Sequence, residues 1–203
     1  MKPIAIYGAG SLGREVLMLI RQINEIHEEW DVLGFFDDNE NLDNMIDGLP
    51  IIGDIHKLNA YKEHLDVIIA VGIPASKKRI IKKITNKSVG FATLIHPAVQ
   101  LKPYQHCQIG EGSIISAGNI FTVGITIGKH VLINMACTIG HDVTIGDFTS
   151  IMPNCTISGE VNIGQDCFIG AGATLLNRVE IKPSSRIGAR ETVKLGTPII
   201  MQE

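Results

Sequence analysis

One large apolar residue returns at every sixth position through the second half of this chain, and that spacing excludes most folds. Stepping by six from Ile109 meets Ile115, Phe121, Ile127, Ile133, Ile139, Ile145, Ile151, Ile157, Ile163, Ile169, Leu175, Ile181, Ile187 and Val193 without a slip. An amphipathic strand repeats every two residues and a helix every 3.6, so a period of six belongs to neither. Three six-residue faces instead close a triangular coil of about eighteen residues, each coil stacking on the last at about 4.8 Å. The anchors then fill the prism axis. The residue after the anchor is often glycine (Gly110, Gly128, Gly140, Gly146, Gly164, Gly170, Gly188), which is expected to help turn the corner. The fourth residue after the anchor is small or β-branched, as at Ser113, Cys137, Thr149, Cys155, Cys167 and Ala173, and is expected to pack where two walls approach.

That register accounts for the cysteines. Cys107, Cys137, Cys155 and Cys167 all occupy the fourth position, where a small apolar side chain fits. Their spacing contains no C-x-x-C pair, so no metal site is expected, and a disulfide framework is not expected of a cytosolic protein. Glycine, at 21 residues, and aromatics, at 5%, agree with many tight corners and small side chains.

Residues 1–95 follow a different pattern, strands alternating with helices. Pro3–Tyr7, Val32–Phe36, Asp66–Val71 and Phe91–Ile95 read as strands; Val16, Leu19, Ile20 and Ile23 recur at helical spacing, and SKKRIIKKI forms a basic helix. The expected architecture is therefore an α/β Rossmann-like domain over residues 1–95, then an all-β left-handed parallel β-helix over residues 96–203. A net charge of −3 over 203 residues argues against nucleic acid or an anionic membrane surface as partner. Met1–Tyr7 runs into a glycine turn without a signal peptide and no apolar run is long enough to span a bilayer, so a cytoplasmic location is expected.

Two segments carry chemistry. GAGSLG, Gly8 to Gly13, follows a strand and opens a helix, the setting of a glycine-rich phosphate loop, and Asp37 closes the next strand. By itself this motif suits NAD as well as any nucleotide, and a ligand-free strand-to-helix turn explains it too. In the repeats, His141 lies two residues past anchor Ile139 and Asp142 follows it, so both point outward near a corner. An exposed imidazole held by a carboxylate can act as general base. Spacing alone favours an idle surface pair.

The hexapeptide repeats, joined to a glycine-rich N-terminal unit, resemble the left-handed β-helix acyltransferases, and among them the nucleotide-sugar N-acetyltransferases of the bacillosamine and perosamine type; sialic acid O-acetyltransferases are related. The resemblance implies an enzyme that moves acetyl from acetyl-CoA to the 4-amino group of a UDP- or TDP-linked amino-deoxy sugar. His141 would be the base, Asp142 its partner and Asn134 a contact to the sugar. It implies a homotrimer, with acetyl-CoA between adjacent β-helices near Ser150, Ala171 and Ala189, and no metal. The nucleotide sugar would be held by Gly10, Ser11, Leu12, Asp37, Asp38 and Gly72. Three positions depart from the family pattern: Leu12 and Ser150 stand where relatives carry histidine, and Ile200 stands where the G-x-P-A-K ending has lysine. Sugar O-acetylation and a non-catalytic nucleotide-sugar-binding trimer are the alternative readings.

Overall fold

A computed structural model describes residues 1–197, which form two compact units, Met1–Thr93 and Leu94 onward. In the first unit β1 (Lys2–Tyr7) leads into α1 (Ser11–Ile26) and returns as β2 (Trp30–Phe36). There follow β3 (Met45–Ile46), β4 (Leu49–Gly53), α2 (Ile55–Asn59), β5 (Leu65–Ile69), α3 (Pro74–Lys83) and β6 (Val89–Phe91). The sheet order is β3-β4-β2-β1-β5-β6, parallel except where β3 pairs antiparallel with β4. From β1 the chain moves to one side for β2 and to the other for β5. The carboxyl end of β1 is therefore the switch point at which open α/β sheets take their ligands. Apolar β1 residues Ile4, Ala5 and Ile6 are wholly buried, as are Phe35, Phe36, Val67 and Ile68 on the flanking strands.

The loop at that switch point depends on two glycines. Gly8 has φ +106°, a region open to glycine. At Gly13 any side chain would run into the carbonyl oxygen of Gly8, so its absence lets α1 start tight against the sheet. The β3–β4 hairpin and short α2 are elements that the sequence pattern does not announce, since each is too short to establish a period.

The expected strand over residues 91–95 is divided. β6 pairs with β5, whereas β7 (Leu94–Ile95) pairs with Ile114–Ile115 and forms the first rung of the second unit. Leu94 N–H donates to Ser113 O at 2.9 Å and His96 N–H to Ile115 O at 2.9 Å. A short apolar run shows extended backbone but not which sheet it extends.

The second unit is a left-handed parallel β-helix whose two-residue rungs stack in three parallel sheets. Partners lie eighteen residues apart, as in Thr126 with Thr144 and Ile127 with Ile145. The anchors from Ile115 to Val193 are all buried and form one continuous core. The turns differ from expectation. The glycines that follow the anchors have ordinary φ values; the left-handed residue stands two places later, three past each anchor, for example Ala136 (φ 60°), Asp142 (57°), Asn154 (60°) and Gly172 (68°). Glycine after the anchor serves another purpose. A Cβ at Gly140, Gly146, Gly164 or Gly170 would come within 2.5–2.7 Å of the backbone of the next coil, so these glycines permit stacking at strand spacing.

The fourth-position side chains pack between walls as expected and also hydrogen-bond. Ser113 Oγ donates to Gly128 O (3.0 Å), Thr149 Oγ1 to Gly164 O (2.9 Å), Cys155 Sγ to Gly170 O (3.1 Å) and Cys167 Sγ to Lys182 O (3.1 Å). Each donor reaches the carbonyl fifteen residues ahead and so ties one coil's corner to the next. All four cysteines are free thiols. Burial raises the Cys167 thiol above its ordinary range, and contact with Cys155 together with burial raises that of Cys137. Among the described residues no cluster of His, Cys, Asp or Glu is arranged to hold a metal ion, and no helix is long and apolar enough to cross a membrane.

Candidate active site

The β-helix turns a corner after rung Thr138–Ile139, and His141 and Asp142 form that corner. Because Ile139 points inward and Asp142 takes the left-handed conformation, the imidazole leaves the prism: its side chain is 51% exposed. His141 Nδ1 lies 2.9 Å from Asp142 Oδ2. With the carboxylate as acceptor, Nδ1 carries the hydrogen and Nε2 presents its lone pair, the tautomer a proton acceptor needs. The coils on either side are cut away to admit the pair. A Cβ at Gly159 would lie 2.6 Å from Cε1 and 2.8 Å from Cδ2 of His141, and one at Gly124 would lie 2.6 Å from Asp142 Oδ1. The imidazole thus rests on a bare glycine of the following coil.

These two glycines escape a reading by motif, although the period finds them. Adding eighteen to 141 gives Gly159, the one glycine located two places past an anchor; subtracting eighteen from 142 gives Gly124. The same step from Asp142 reaches Glu160 and then Arg178. Arg178 grips Glu160 with both Nε (3.0 Å) and Nη2 (3.1 Å) and holds that carboxyl below its ordinary value.

Asn134 sits in the same coil as His141, one residue past anchor Ile133. It is 8% exposed, and its Oδ1 accepts the Met135 N–H at 2.7 Å. The corner backbone therefore takes up its acceptor. Ser150 stands in a rung between Leu132 and Phe168 and is wholly buried, so no part of its side chain is open to a ligand. Ala171 and Ala189 are exposed and stack one coil apart, the N–H of Arg190 donating to Ala171 O at 2.8 Å. The substitution at Ile200 lies outside the described residues.

In the first unit, Gly10, Ser11 and Leu12 open α1 with Gly10 at its N-cap, and a Cβ added at Gly10 would meet no atom within 4 Å beyond its chain neighbours. Gly72 lies beyond β5 beside Leu12, its absent Cβ 3.8 Å from Leu12 Cδ2. Asp37 joins this edge from β2. Its Oδ2 accepts the Ala9 N–H in the glycine loop (2.8 Å) and its Oδ1 the Asn39 N–H (2.8 Å). Asp38 turns to the other elements: Oδ1 accepts from the Tyr7 hydroxyl and from Ile55 N–H (3.1 Å), while Lys83 Nζ lies 3.7 Å from Oδ2. Burial, and then the Asp38 carboxylate, raise the Tyr7 phenol far above its ordinary range. Both acids thus support the loop and sheet edge; Asp38 Oδ1 already takes two donors, while each Asp37 oxygen takes one and retains a second acceptor site. Asp37 also lines a cleft of about 360 Å³ with Asn39, Leu42, Ile51, Asp54 and Lys57. The N-terminus of α1 beside the bare Gly10 is suited to an anion, whereas the cleft, which Glu40 also lines, is rich in carboxylates and suits a neutral polar group.

Comparison with known proteins agrees with both units. Residues 3–84 match the family model of the PglD N-terminal domain, and residues 124–159 match that of the bacterial transferase hexapeptide (six repeats). Among solved structures, the acetyltransferase domain of PglB from Neisseria gonorrhoeae superposes with a TM-score of 0.85 at 24% identity, covering 98% of this chain and 94% of that one. PerB from Caulobacter crescentus, in complex with CoA and GDP-perosamine, superposes with a TM-score of 0.85 at 24% identity, covering 96% and 89%. WeeI from Acinetobacter baumannii gives 0.63 at 22% identity, covering 98% and 100%. No curated protein sequence matches significantly. Residues 3–84 thus resemble the PglD N-terminal domain, residues 124–159 resemble the bacterial hexapeptide repeats, and the chain as a whole shares the fold of these solved structures.

Proposed function

We propose that the protein is an acetyl-CoA-dependent N-acetyltransferase acting on the amino group of a nucleotide-linked amino sugar, with His141 as general base. The carrying observation is an exposed imidazole fixed by Asp142 through Nδ1 at 2.9 Å, on the outer wall of a hexapeptide β-helix. The substrate amine attacks the thioester carbonyl while Nε2 of His141 takes its proton. Asp142 stabilises the imidazolium, and the proton passes to the departing CoA thiolate. No acyl-enzyme is needed. A main-chain N–H of the neighbouring coil, that of Gly159 beneath the ring, is assigned to the oxyanion.

The acceptor is a 4-amino-4,6-dideoxy sugar carried on UDP or TDP, or on GDP as in the ligand of the Caulobacter protein. Its nucleotide part is assigned to the edge formed by Gly10, Ser11, Leu12, Asp37 and Gly72, with Asp38 behind them. Acetyl-CoA is assigned to a groove between β-helices of a homotrimer, passing the exposed Ala171 and Ala189, where small side chains allow close approach. The buried Ser150 takes no part in that contact. The reading places the reaction in the cytoplasm, where both substrates are made.

The test is thiol release from acetyl-CoA against a panel of UDP-, TDP- and GDP-linked amino sugars together with sialic acids. Product mass distinguishes amide from ester. One amino sugar giving an amide, with kcat at least a hundredfold lower in His141→Ala, is the expected result. An ester product or release with no amine substrate refutes N-acetylation, and His141→Ala within tenfold of the parent refutes the base.

A further inference from the structure

Along the corner that carries the dyad, Gly124, Asp142, Glu160 and Arg178 follow at eighteen-residue steps, each in the left-handed conformation where not glycine. They are successive rungs: Asp142 N–H donates to Val123 O (2.9 Å), Glu160 N–H to His141 O (2.8 Å) and Arg178 N–H to Gly159 O (3.1 Å). A second carboxylate therefore stands one coil beyond the imidazole. It follows Gly159, on which the ring rests, and its charge suits it to pair with Nε2, the nitrogen that must stay open for the substrate proton. Glu160 is not free, because both its oxygens are taken by the guanidinium fork of Arg178, which draws them toward the next coil.

We propose that Arg178 is a positioning residue for the acetyl-transfer site: by engaging Glu160 it leaves Asp142 as the single carboxylate paired with His141. The inference rests on His141 as the base. The ion pair has little to do for the fold, since Arg178 and Glu160 have side chains 69% and 42% exposed and exposed pairs contribute little to stability. The charged groups facing the imidazole are Asp142 from its own coil, Glu160 from the next and Arg178 from the one after; the preceding coil offers Val123 and Gly124, which are uncharged. The electrostatic coupling has the same sense. After the Arg178 contacts, the charge of His141 also favours the Glu160 carboxylate, so the two groups feel each other even with Glu160 held away.

Arg178→Gln releases the carboxylate and tests the proposal. Titration of the His141 ring by NMR on histidine-labelled protein, assigned with His141→Gln, is expected to move upward. The kcat/KM profile is then expected to fall about threefold on its acid limb and to keep its alkaline plateau. The double variant Arg178→Gln/Glu160→Gln is expected to restore both. An unmoved ring titration in Arg178→Gln overturns the proposal, as does an elevated titration that persists in the double variant. A ring that shifts while the rate profile does not leaves the clamp standing and refutes His141 as the base, so the two failures are told apart.

Discussion

Gly159→Ala puts one methyl group under the His141 imidazole, the proposed base, and little else. The new Cβ would sit 2.6 Å from Cε1 and 2.8 Å from Cδ2 of His141, against an ordinary contact of at least 3.4 Å. The ring must therefore retreat by roughly 1 Å, and because it ends an exposed side chain it moves more readily than the backbone. That displacement stretches the 2.9 Å bond to Asp142 and shifts Nε2 from the attacking amine. A misplacement of about 1 Å costs on the order of a hundredfold in rate. The fold loses little. Gly159 is outside the left-handed region, so alanine fits its backbone, and a strain-free Gly→Ala change is worth about 0.4–1 kcal/mol in favour of the folded state. Steady-state kinetics with the proposed nucleotide-sugar acceptor, beside urea unfolding, read both quantities. The expected result is kcat lowered about a hundredfold with stability within about 1 kcal/mol of the parent. Gly140→Ala is the contrasting variant: its Cβ meets Gly159 N at 2.7 Å and Ser158 C at 2.8 Å, both backbone, so it should destabilise. A Gly159→Ala enzyme with kcat within twofold of the parent would refute the account of the imidazole seat.

Two further outcomes follow from burial. With a thiol reagent the native protein should modify Cys107 alone at an appreciable rate, since Cys137, Cys155 and Cys167 are at most 1% exposed and the remaining three thiols should appear only on unfolding; rapid labelling of more than one thiol contradicts the packing. The Tyr7 phenol is raised in the folded state, so its contribution to stability is complete below the unfolded value near pH 10 and is lost as pH climbs above it, at about 1.4 kcal/mol per pH unit. Urea unfolding from pH 9 to 11.5 should show that loss in the parent and a shallower one in Tyr7→Phe, which starts less stable by about 1–3 kcal/mol for want of the hydrogen bond to Asp38; equal slopes refute the assignment.

The β-helix was legible because its period is a geometric constraint. Eighteen residues per coil place every sixth side chain on the axis, and a polar residue there would break the core shared by Ile139, Ile157 and Leu175. The outward placement of His141 follows from the same register. The device that turns the corner was not legible, since the left-handed position is filled by residues as unlike as Phe148, Glu160 and Arg178. Their backbone is imposed by stacking between neighbouring coils, whatever their own preference. Strand assignment at 91–95 failed for a related reason: Leu94 and Ile95 are apolar in either sheet, and only pairing with Ile114 and Ile115 decides between them.

The amino-acid order alone thus determined two patterns, a glycine loop between strand and helix and a six-residue register that carries a His-Asp pair outward. These are local periodicities, and local periodicity is a property that sequence records. Tertiary structure decided what lies beside the pair. Gly159 under the ring, Glu160 held by Arg178, Ser150 sealed from solvent and Asp37 bonded to Ala9 all depend on which coil or strand stacks against which. Contacts across eighteen or twenty-eight residues are set by the packing of whole elements, and no single segment of the chain contains them.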